Sequence, residues 1–137
     1  MKRVIELLKK SDMITVATSW NDMPRASIVE PHVIGDNVIM FSTSSLSIKA
    51  NNLEHNKHIS VSVCQMPKFA TIDGTVTTPT AQEIEEFNRI FFEKHPEFLE
   101  MTDMAMLQSF VYYKVIIETA YYSDYTNGMV EPEIIHA

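Results

Sequence analysis

Very short turns separate the first three β-type segments of the chain, and this spacing limits the fold more than any other feature. Residues 13–20, 25–34 and 38–43 are rich in β-branched and apolar side chains, with four residues in the first turn and three in the second. Connections this short join antiparallel strands, because parallel strands need a crossover of about a dozen residues or more. The sequence therefore predicts an antiparallel meander, interrupted or edged at Pro31, since proline cannot donate to a strand ladder.

Helical and strand-like periods alternate along the rest of the chain. They predict a helix over residues 2–10, a helix over 44–56, strands over 59–65 and 68–77, a helix from the Thr80–Glu83 capping box to the residue before His95, one or two short helices over 96–108 and a strand over 110–122. A bulge or bend is expected at Gly74. The tail after Asp124 has no period and is expected to be irregular.

The predicted fold class is mainly β with helices. Six antiparallel strands with helices between them suit a single domain over residues 1–137. A small antiparallel sheet must protect its edges, and closure into a barrel removes them. We therefore expect a small six-stranded antiparallel barrel.

The charge of the chain limits its partners. Eleven Lys and Arg against 18 Asp and Glu give a net charge of −7, which argues against nonspecific binding to nucleic acid or to anionic membranes. Any anionic ligand must therefore be held by a local basic or dipolar site. No segment approaches the length that spans a bilayer and the N-terminal residues do not form a signal peptide, so a cytoplasmic protein is expected.

A single cysteine and three scattered glycines exclude several kinds of site. Cys64 alone cannot form an internal disulfide or a cysteine zinc cluster, and its apolar surroundings over residues 59–64 predict a buried, inert thiol. Gly35, Gly74 and Gly128 are too far apart for a phosphate-binding loop or a dinucleotide fingerprint. The histidines show no metal-ligand pattern and no serine lies in a G-x-S-x-G elbow, so no metal ligand and no catalytic residue is predicted.

Hydroxyl side chains end the third predicted strand and lead directly into a helix that carries one lysine near its start. Thr43, Ser47 and Lys49 lie in this segment, where the free amides and the dipole of a helix N-terminus attract anions. The two hydroxyls add donors and the ammonium group adds a point charge, so a phosphate monoester fits. The alternative is that the serines only cap the helix and Lys49 is solvated, which the frequency of serine at N-caps favours on composition alone.

The order and spacing of these segments resemble the FMN-binding split barrels related to pyridoxamine 5′-phosphate oxidase. The resemblance rests on Pro24-Arg25-Ala26-Ser27-Ile28-Val29, on Met40-Phe41-Ser42-Thr43 followed by Ser47-Ile48-Lys49-Ala50, on Asn52, Leu53 and Asn56, and on the strand over 59–63. It covers residues 13–78 continuously and 110–125 more loosely. The resemblance implies a Greek-key-like split barrel that forms a homodimer, binds FMN in two grooves between subunits and transfers electrons to or from a small substrate.

The resemblance also places the cofactor in this chain. The positions that match cofactor-binding residues of the family are Arg25, Ala26, Ser27, Ile28, Val29, Ser42, Thr43, Ser47, Lys49 and Lys68. The strand over 25–30 is expected to offer backbone groups to the isoalloxazine ring, and residues 42 and 43 to line the ring and the ribityl chain. Ser47 and Lys49 are expected to face the phosphate, and Lys68 to approach a flavin from the partner subunit.

Three departures from the family pattern bear on function. Ile48 stands where the family often has arginine, and Ser27 aligns with a frequent phosphate-binding arginine, although Arg25 lies two residues away on the same strand face. Each lost cation weakens the binding of a doubly charged phosphate, so FMN is expected to bind loosely. The tail over residues 125–136 has two glutamates and no lysine or arginine, so oxidation of a phosphorylated pyridoxamine is not expected.

Two alternatives to an oxidoreductase follow from the same residues. One is a non-catalytic protein of this fold that stores or senses FMN, or binds haem or a deazaflavin. The other is a structural dimer whose cofactor site has decayed, which Ile48 and Ser27 make conceivable. Reduced nicotinamide is a conceivable electron donor for the oxidoreductase, and the aromatic side chains over residues 87–98 are expected to lie in the core or in a dimer contact.

Overall fold

Residues 1–101 and 109–137 are described by a computed structural model. Its elements in chain order are α1 (Lys2–Lys9), β1 (Ile14–Trp20), β2 (Met23–Val29), β3 (His32–Ile34), β4 (Val38–Ser44), α2 (Ile48–His55), β5 (His58–Gln65), β6 (Lys68–Thr77), α3 (Ala81–Lys94), α4 (Glu97–Met101), β7 (Phe110–Asp124) and β8 (Glu133–His136). The predicted range 96–108 lies mostly outside the described residues. Its described part contains one helix, α4.

A single antiparallel sheet curls through the molecule. Seven strands follow the order β2-β1-β5-β6-β7-β4-β3, and β8 pairs with β7 beyond the end of β4. Among the strands of the described residues, β2 pairs only with β1, and it approaches β4 and α2 across the open side of the sheet. The sheet is therefore a barrel that is split along the free edge of β2.

The tight β1–β2 turn is made by two non-glycine residues in the left-handed conformation. Asn21 has φ 53° and Asp22 has φ 59°, and short polar side chains tolerate this region best. Two successive residues with positive φ form the kind of hairpin turn whose twist matches that of the strands. The turn sets the register in which Val16 faces Ser27 and Thr18 faces Arg25.

The predicted strand count of six is wrong, because the described residues form eight strands. One additional strand arises where the chain leaves the β ladder at Glu30-Pro31, which divides the predicted strand over 25–34 into β2 and β3. The other is β8, which lies in the tail that was expected to be irregular. The mainly β, split-barrel architecture itself is confirmed.

Alternation along the strands produces the core. Val16, Phe41, Ile72 and Val115, from four different strands, are all fully buried, because every second side chain points to the same face of a sheet. The helix α1 covers this core with four buried apolar side chains of its own, as its period predicts.

The predicted bulge at Gly74 is confirmed, and the glycine is required there by a close backbone contact. The β6–β7 register shifts between Asp73 and Gly74, and a Cβ on residue 74 would lie 2.5 Å from the carbonyl oxygen of Ile116. The opposite residue Glu118 is left out of the pairing, so the bulge itself belongs to β7.

The prediction of a buried cysteine is wrong. Ile59, Val61 and Val63 face the core, so strand alternation turns Cys64 outward, and it is an exposed free thiol. Among the described residues, no helix combines the length and the apolar character that a membrane crossing needs.

Candidate functional site

The start of α2 is organised by two serine side chains. Ser47 is the N-cap, and its hydroxyl accepts a hydrogen bond from the amide of Ala50 at 3.2 Å and donates one to the carbonyl of Ser44 at 2.8 Å. The hydroxyl of Ser44 accepts from the amide of Leu46 at 3.1 Å. The serines therefore fix the direction in which the first amides of α2 point, as the capping alternative requires.

Lys49 is not the solvated lysine of that alternative. Its side chain turns back toward β4, and its ammonium group donates a 2.7 Å hydrogen bond to the hydroxyl of Thr43. Thr43 is buried and donates in turn to Ser47, over 3.3 Å. Partial burial of the ammonium group lowers the pKa of Lys49. Thr43, Ser47 and Lys49 therefore form one polar group, here called the α2 nook, in which no carboxylate of the described residues pairs with the cation.

Arg25 and Ser27 lie on the side of β2 that faces α2. Arg25 is opposite Thr18 in the hairpin, and residues opposite each other share a face of the sheet. The Thr18 hydroxyl is buried and accepts a hydrogen bond from Asn52 of α2 at 3.1 Å, which identifies the face. Arg25 is exposed and has no hydrogen bond or ion pair with any described residue. A second cation, which has no hydrogen-bond or ion-pair partner among the described residues, therefore lies on the strand that borders the α2 nook.

Ser42 and Thr43 point to opposite sides of β4. Thr43 faces the α2 nook, whereas Ser42 is paired with Tyr112 and lines a cleft on the other side of the sheet. Adjacent strand residues always diverge in this way. The two side chains therefore cannot contact the same face of one ligand.

The cleft that Ser42 lines lies between the sheet and α3, and we call it the α3 cleft. It has a volume of about 390 Å³, which is within the range of small-molecule sites. Its walls are the end of β2 with Ile28 and Val29, the facing parts of β4 and β7, and the aromatic side chains of α3 and α4. Phe91 is in ring contact with Phe87, Phe92 and Phe98 at centroid distances between 5.4 and 6.2 Å.

A Glu–His pair closes one end of the α3 cleft. Both carboxylate oxygens of Glu30 lie 2.9 to 3.0 Å from Nε2 of His95, and Nδ1 of the same ring lies 3.4 Å from Glu97. The hydrogen bond to Glu30 is the main cause that raises the pKa of His95, and the charge of Glu97 adds to it. The Lys94 ammonium group is 4.0 Å from Glu30. Two acids and two bases therefore face each other here.

The remaining residues of the predicted cofactor site lie on β2 and at the start of β6. Ala26 and Ile28 are exposed on the outer face of β2, and Val29 is buried at its end. Lys68 pairs with Asp124 at one end of β7, whereas Ser44 next to the α2 nook pairs with Phe110 at the other end. These ends are roughly 45 Å apart along the strand. Lys68 is therefore not part of the same site within one chain, and its approach to a partner's flavin stays a prediction.

Sequence reasoning missed the α3 cleft and its polar groups. The aromatic side chains over 87–98 were expected in the core or in a dimer contact; Phe87 is buried, but Phe91, Phe92 and Phe98 are only partly covered and form a cleft wall. Glu30 and His95 are 65 residues apart in the chain, and no spacing rule connects them. One available signal was that Glu30 precedes a proline that was expected to end strand pairing.

The family follows from the sequence as a whole. Residues 1–124 match the family described as pyridoxamine 5′-phosphate oxidase. The chain belongs to this family. The expected resemblance is thereby confirmed, and the family match includes the α2 nook, β2 and the residues named above for the α3 cleft. No curated protein matches the sequence significantly.

Solved structures share the fold of this family member at low sequence identity. General stress protein 26 from Bacillus anthracis is 14% identical, has a TM-score of 0.69, and the match covers 99% of this chain and 97% of that one. A FAD-binding protein from Mesorhizobium loti is 15% identical with a TM-score of 0.65, over 87% of this chain and 90% of that one. A heme binding protein from Mycobacterium smegmatis is 15% identical with a TM-score of 0.74, over 95% of this chain and 55% of that one.

Proposed function

We propose that the chain is a flavoprotein that binds FMN as a homodimer and transfers electrons between FMN and a small substrate. The observation that carries the proposal is the α2 nook, where Lys49 holds a partly buried positive charge against the neutral hydroxyl of Thr43 at 2.7 Å. Partial burial of an ammonium group costs free energy unless an anion compensates it. A phosphate at this helix N-terminus would supply that compensation.

The residues that are present fit the phosphate end of FMN. Lys49 and Arg25 provide two cations, the hydroxyls of Thr43 and Ser47 provide donors, and the first amides of α2 point out of the helix. Among the described residues, Arg25 has no hydrogen bond or ion pair that it would lose on binding a phosphate. Ile48 is exposed and adds no charge, so affinity is expected to be lower than that of a site with three cations.

The free edge of β2 fits the ring end of the same ligand. This edge strand presents backbone N–H and C=O groups with which no other described strand pairs. A flavin ring carries both hydrogen-bond donors and acceptors along one side, so an unpaired strand edge is a suitable partner. When bound, FMN would supply the redox chemistry, and the chain would bind it, orient it against β2 and shield it from water.

The first experiment is the absorption spectrum and the mass spectrum of the freshly purified chain. Flavin bands, with FMN as the released compound at about one per chain, are the expected result. Steady oxidation of a reduced nicotinamide cofactor by the loaded protein would then separate an oxidoreductase from a protein that only stores or senses flavin. A colourless protein that does not bind added FMN would contradict the proposal.

The same experiment tests other ligands of the fold. The structural relatives include proteins described as FAD-binding and heme binding, so FAD or haem is the specific alternative to FMN. Release of FAD, or an intense haem band in the spectrum, would replace FMN in the proposal.

A further inference from the structure

The α3 cleft has the size and the wall of a ligand site but no role in holding the cofactor phosphate. It lies on the opposite side of β4 from the α2 nook, since Ser42 and Thr43 diverge. Aromatic rings of α3 and α4 form one wall, and the sheet residues Ser42, Phe110 and Tyr112 form the wall that faces them. A helix face opposite a sheet face leaves a flat space, which suits a planar ring better than a chain-like ligand.

The ionisable groups described around the α3 cleft are paired with one another. Of the described residues that line it, Glu30 and His95 are the two that titrate below about pH 9, and they are hydrogen-bonded to each other at 2.9 to 3.0 Å. Lys94 and Glu97, which face this pair from outside, add one charge of each sign. The described walls of the cleft therefore offer no unpaired cation to a phosphate or carboxylate and no unpaired anion to an amine, which favours an uncharged ligand.

Two polar groups in the α3 cleft have unused donors. The Tyr112 hydroxyl donates to the side-chain oxygen of Asn88 at 3.0 Å, which orients the amide and leaves both protons of its nitrogen without a described acceptor. The hydroxyl of Ser42 likewise has no hydrogen-bond partner among the described residues. Both donors lie in a mostly apolar wall, where a hydrogen bond to a ligand contributes most to selectivity.

We propose that the α3 cleft binds an uncharged, planar aromatic molecule that carries hydrogen-bond-accepting oxygens, and that quinones are the class of ligand it takes. The ring of a quinone would pack against the aromatic wall, and its carbonyl oxygens would accept hydrogen bonds from Asn88 and Ser42. Quinones are also two-electron acceptors, so their assignment as the substrate rests on the proposed flavoprotein function. Their binding does not depend on it.

The test is calorimetric titration of the flavin-free full chain with 2-methyl-1,4-naphthoquinone and with 1,4-naphthoquinone-2-sulfonate. We expect saturable binding of the first probe and at least about tenfold weaker binding of the second, because the sulfonate finds no free cation. Equal affinities, or no saturable binding of the uncharged quinone, would overturn the proposal.

Matched variants test the donors. Asn88→Leu keeps the volume of the side chain and removes its donors, so we expect about tenfold weaker quinone binding. Asn51→Leu makes the same change on the exposed face of α2 and is expected to leave affinity unchanged. Ser42→Ala is the smaller change to use where Asn88→Leu fails to fold, and the same direction is expected. If Ser42→Ala, and Asn88→Leu where it folds, bind the quinone like the unmodified chain, the donors have no role and the proposal is wrong.

A titration in the presence of FMN separates this proposal from the previous one. Unchanged quinone affinity at saturating FMN supports a separate cleft, whereas loss of quinone binding would mean that the cofactor ring fills the cleft and would overturn the proposal. Quinone binding to a chain that binds no FMN would contradict the flavoprotein function and leave the cleft assignment standing.

Discussion

Lys49 is the residue on which the phosphate site depends, and its partial burial makes a specific prediction. Lys49→Met should weaken FMN binding by roughly 10- to 100-fold, which corresponds to the loss of one charge-assisted hydrogen bond. Thermal stability should hardly fall, because the variant also removes an ammonium group that burial disfavours, as its lowered pKa indicates. Fluorescence titration with FMN and thermal denaturation measure the two effects.

The control for Lys49 is Lys57, which is exposed just after the same helix. Lys57→Met removes the same charge from the same region and should change FMN affinity by less than about twofold. Similar losses in both variants would mean that only the overall charge of this region matters, against a specific phosphate contact.

His95 gives the molecule a dependence of stability on pH. Its pKa is raised in the folded state by Glu30, so the pair stabilises the fold fully below about pH 6.5, the ordinary value for histidine, and this contribution disappears as the pH rises through the higher folded pKa. The melting temperature should therefore fall as the pH rises above about 6.5, and Glu30→Gln should reduce that slope. Glu85→Gln, on the exposed side of α3, should keep it.

At the residue scale, the sequence predicted the α2 nook, but not that the predicted cofactor residues Ser42 and Thr43 lie on opposite sides of β4. Thr43, Ser47 and Lys49 converge because a strand end, an N-cap and a first helical turn are local features. The opposite directions of Ser42 and Thr43 also follow from strand alternation, but the family resemblance assigned them to one ligand. The Glu30–His95 pair depends on how α3 packs against the end of β2, which no local pattern contains.

The element with the strictest local requirement is β6 at Gly74. Gly74→Ala would place a Cβ 2.5 Å from the carbonyl oxygen of Ile116, which is backbone and cannot move aside. We expect a loss of about 1–3 kcal/mol in the free energy of unfolding, the usual cost of overpacking. Chemical denaturation measures this loss.

Gly35→Ala is the comparison that isolates the contact at Gly74. Residue 35 has φ +61°, and a Cβ added there would meet no atom within 4 Å, so alanine costs only backbone strain, about 1 kcal/mol. If the two variants lose the same stability, the close approach of β7 is not what requires glycine at residue 74.

At the element scale, the strands with a clear period were predictable and β8 was not. Glu133–His136 is four residues long and mostly exposed, so it carries no inward-outward alternation that could be recognised. It forms because β7 extends beyond the end of β4 and leaves Thr119–Tyr122 without a neighbour on that side. The position of a short edge strand is thus decided by the length of its partner strand rather than by its own residues.

At the scale of the whole molecule, large apolar side chains are exposed around the start of α2 and on β2, two elements of the proposed cofactor site. Leu46 is 91% exposed and Ile48 is 50% exposed, on either side of the N-cap Ser47. Met23 and Ile28 are 69% and 64% exposed on the neighbouring edge strand β2. Large apolar side chains exposed at a helix start and along a free strand edge indicate surfaces that another molecule covers. A second copy of the chain is the occupant that the proposed homodimer provides.

The homodimer predicts that mass and cofactor affinity change together. Light scattering should give about twice the 15.7 kDa of one chain. Leu46→Glu with Ile48→Glu should shift the protein toward the monomer and weaken FMN binding, because charges placed in an apolar contact oppose its burial. Leu99→Glu changes an equally apolar side chain, 59% exposed on α4, and should affect neither property. If the unmodified chain is monomeric yet binds one FMN tightly, the cofactor groove is complete within one chain. The exposed apolar side chains around the start of α2 and on β2 would then contact a different partner.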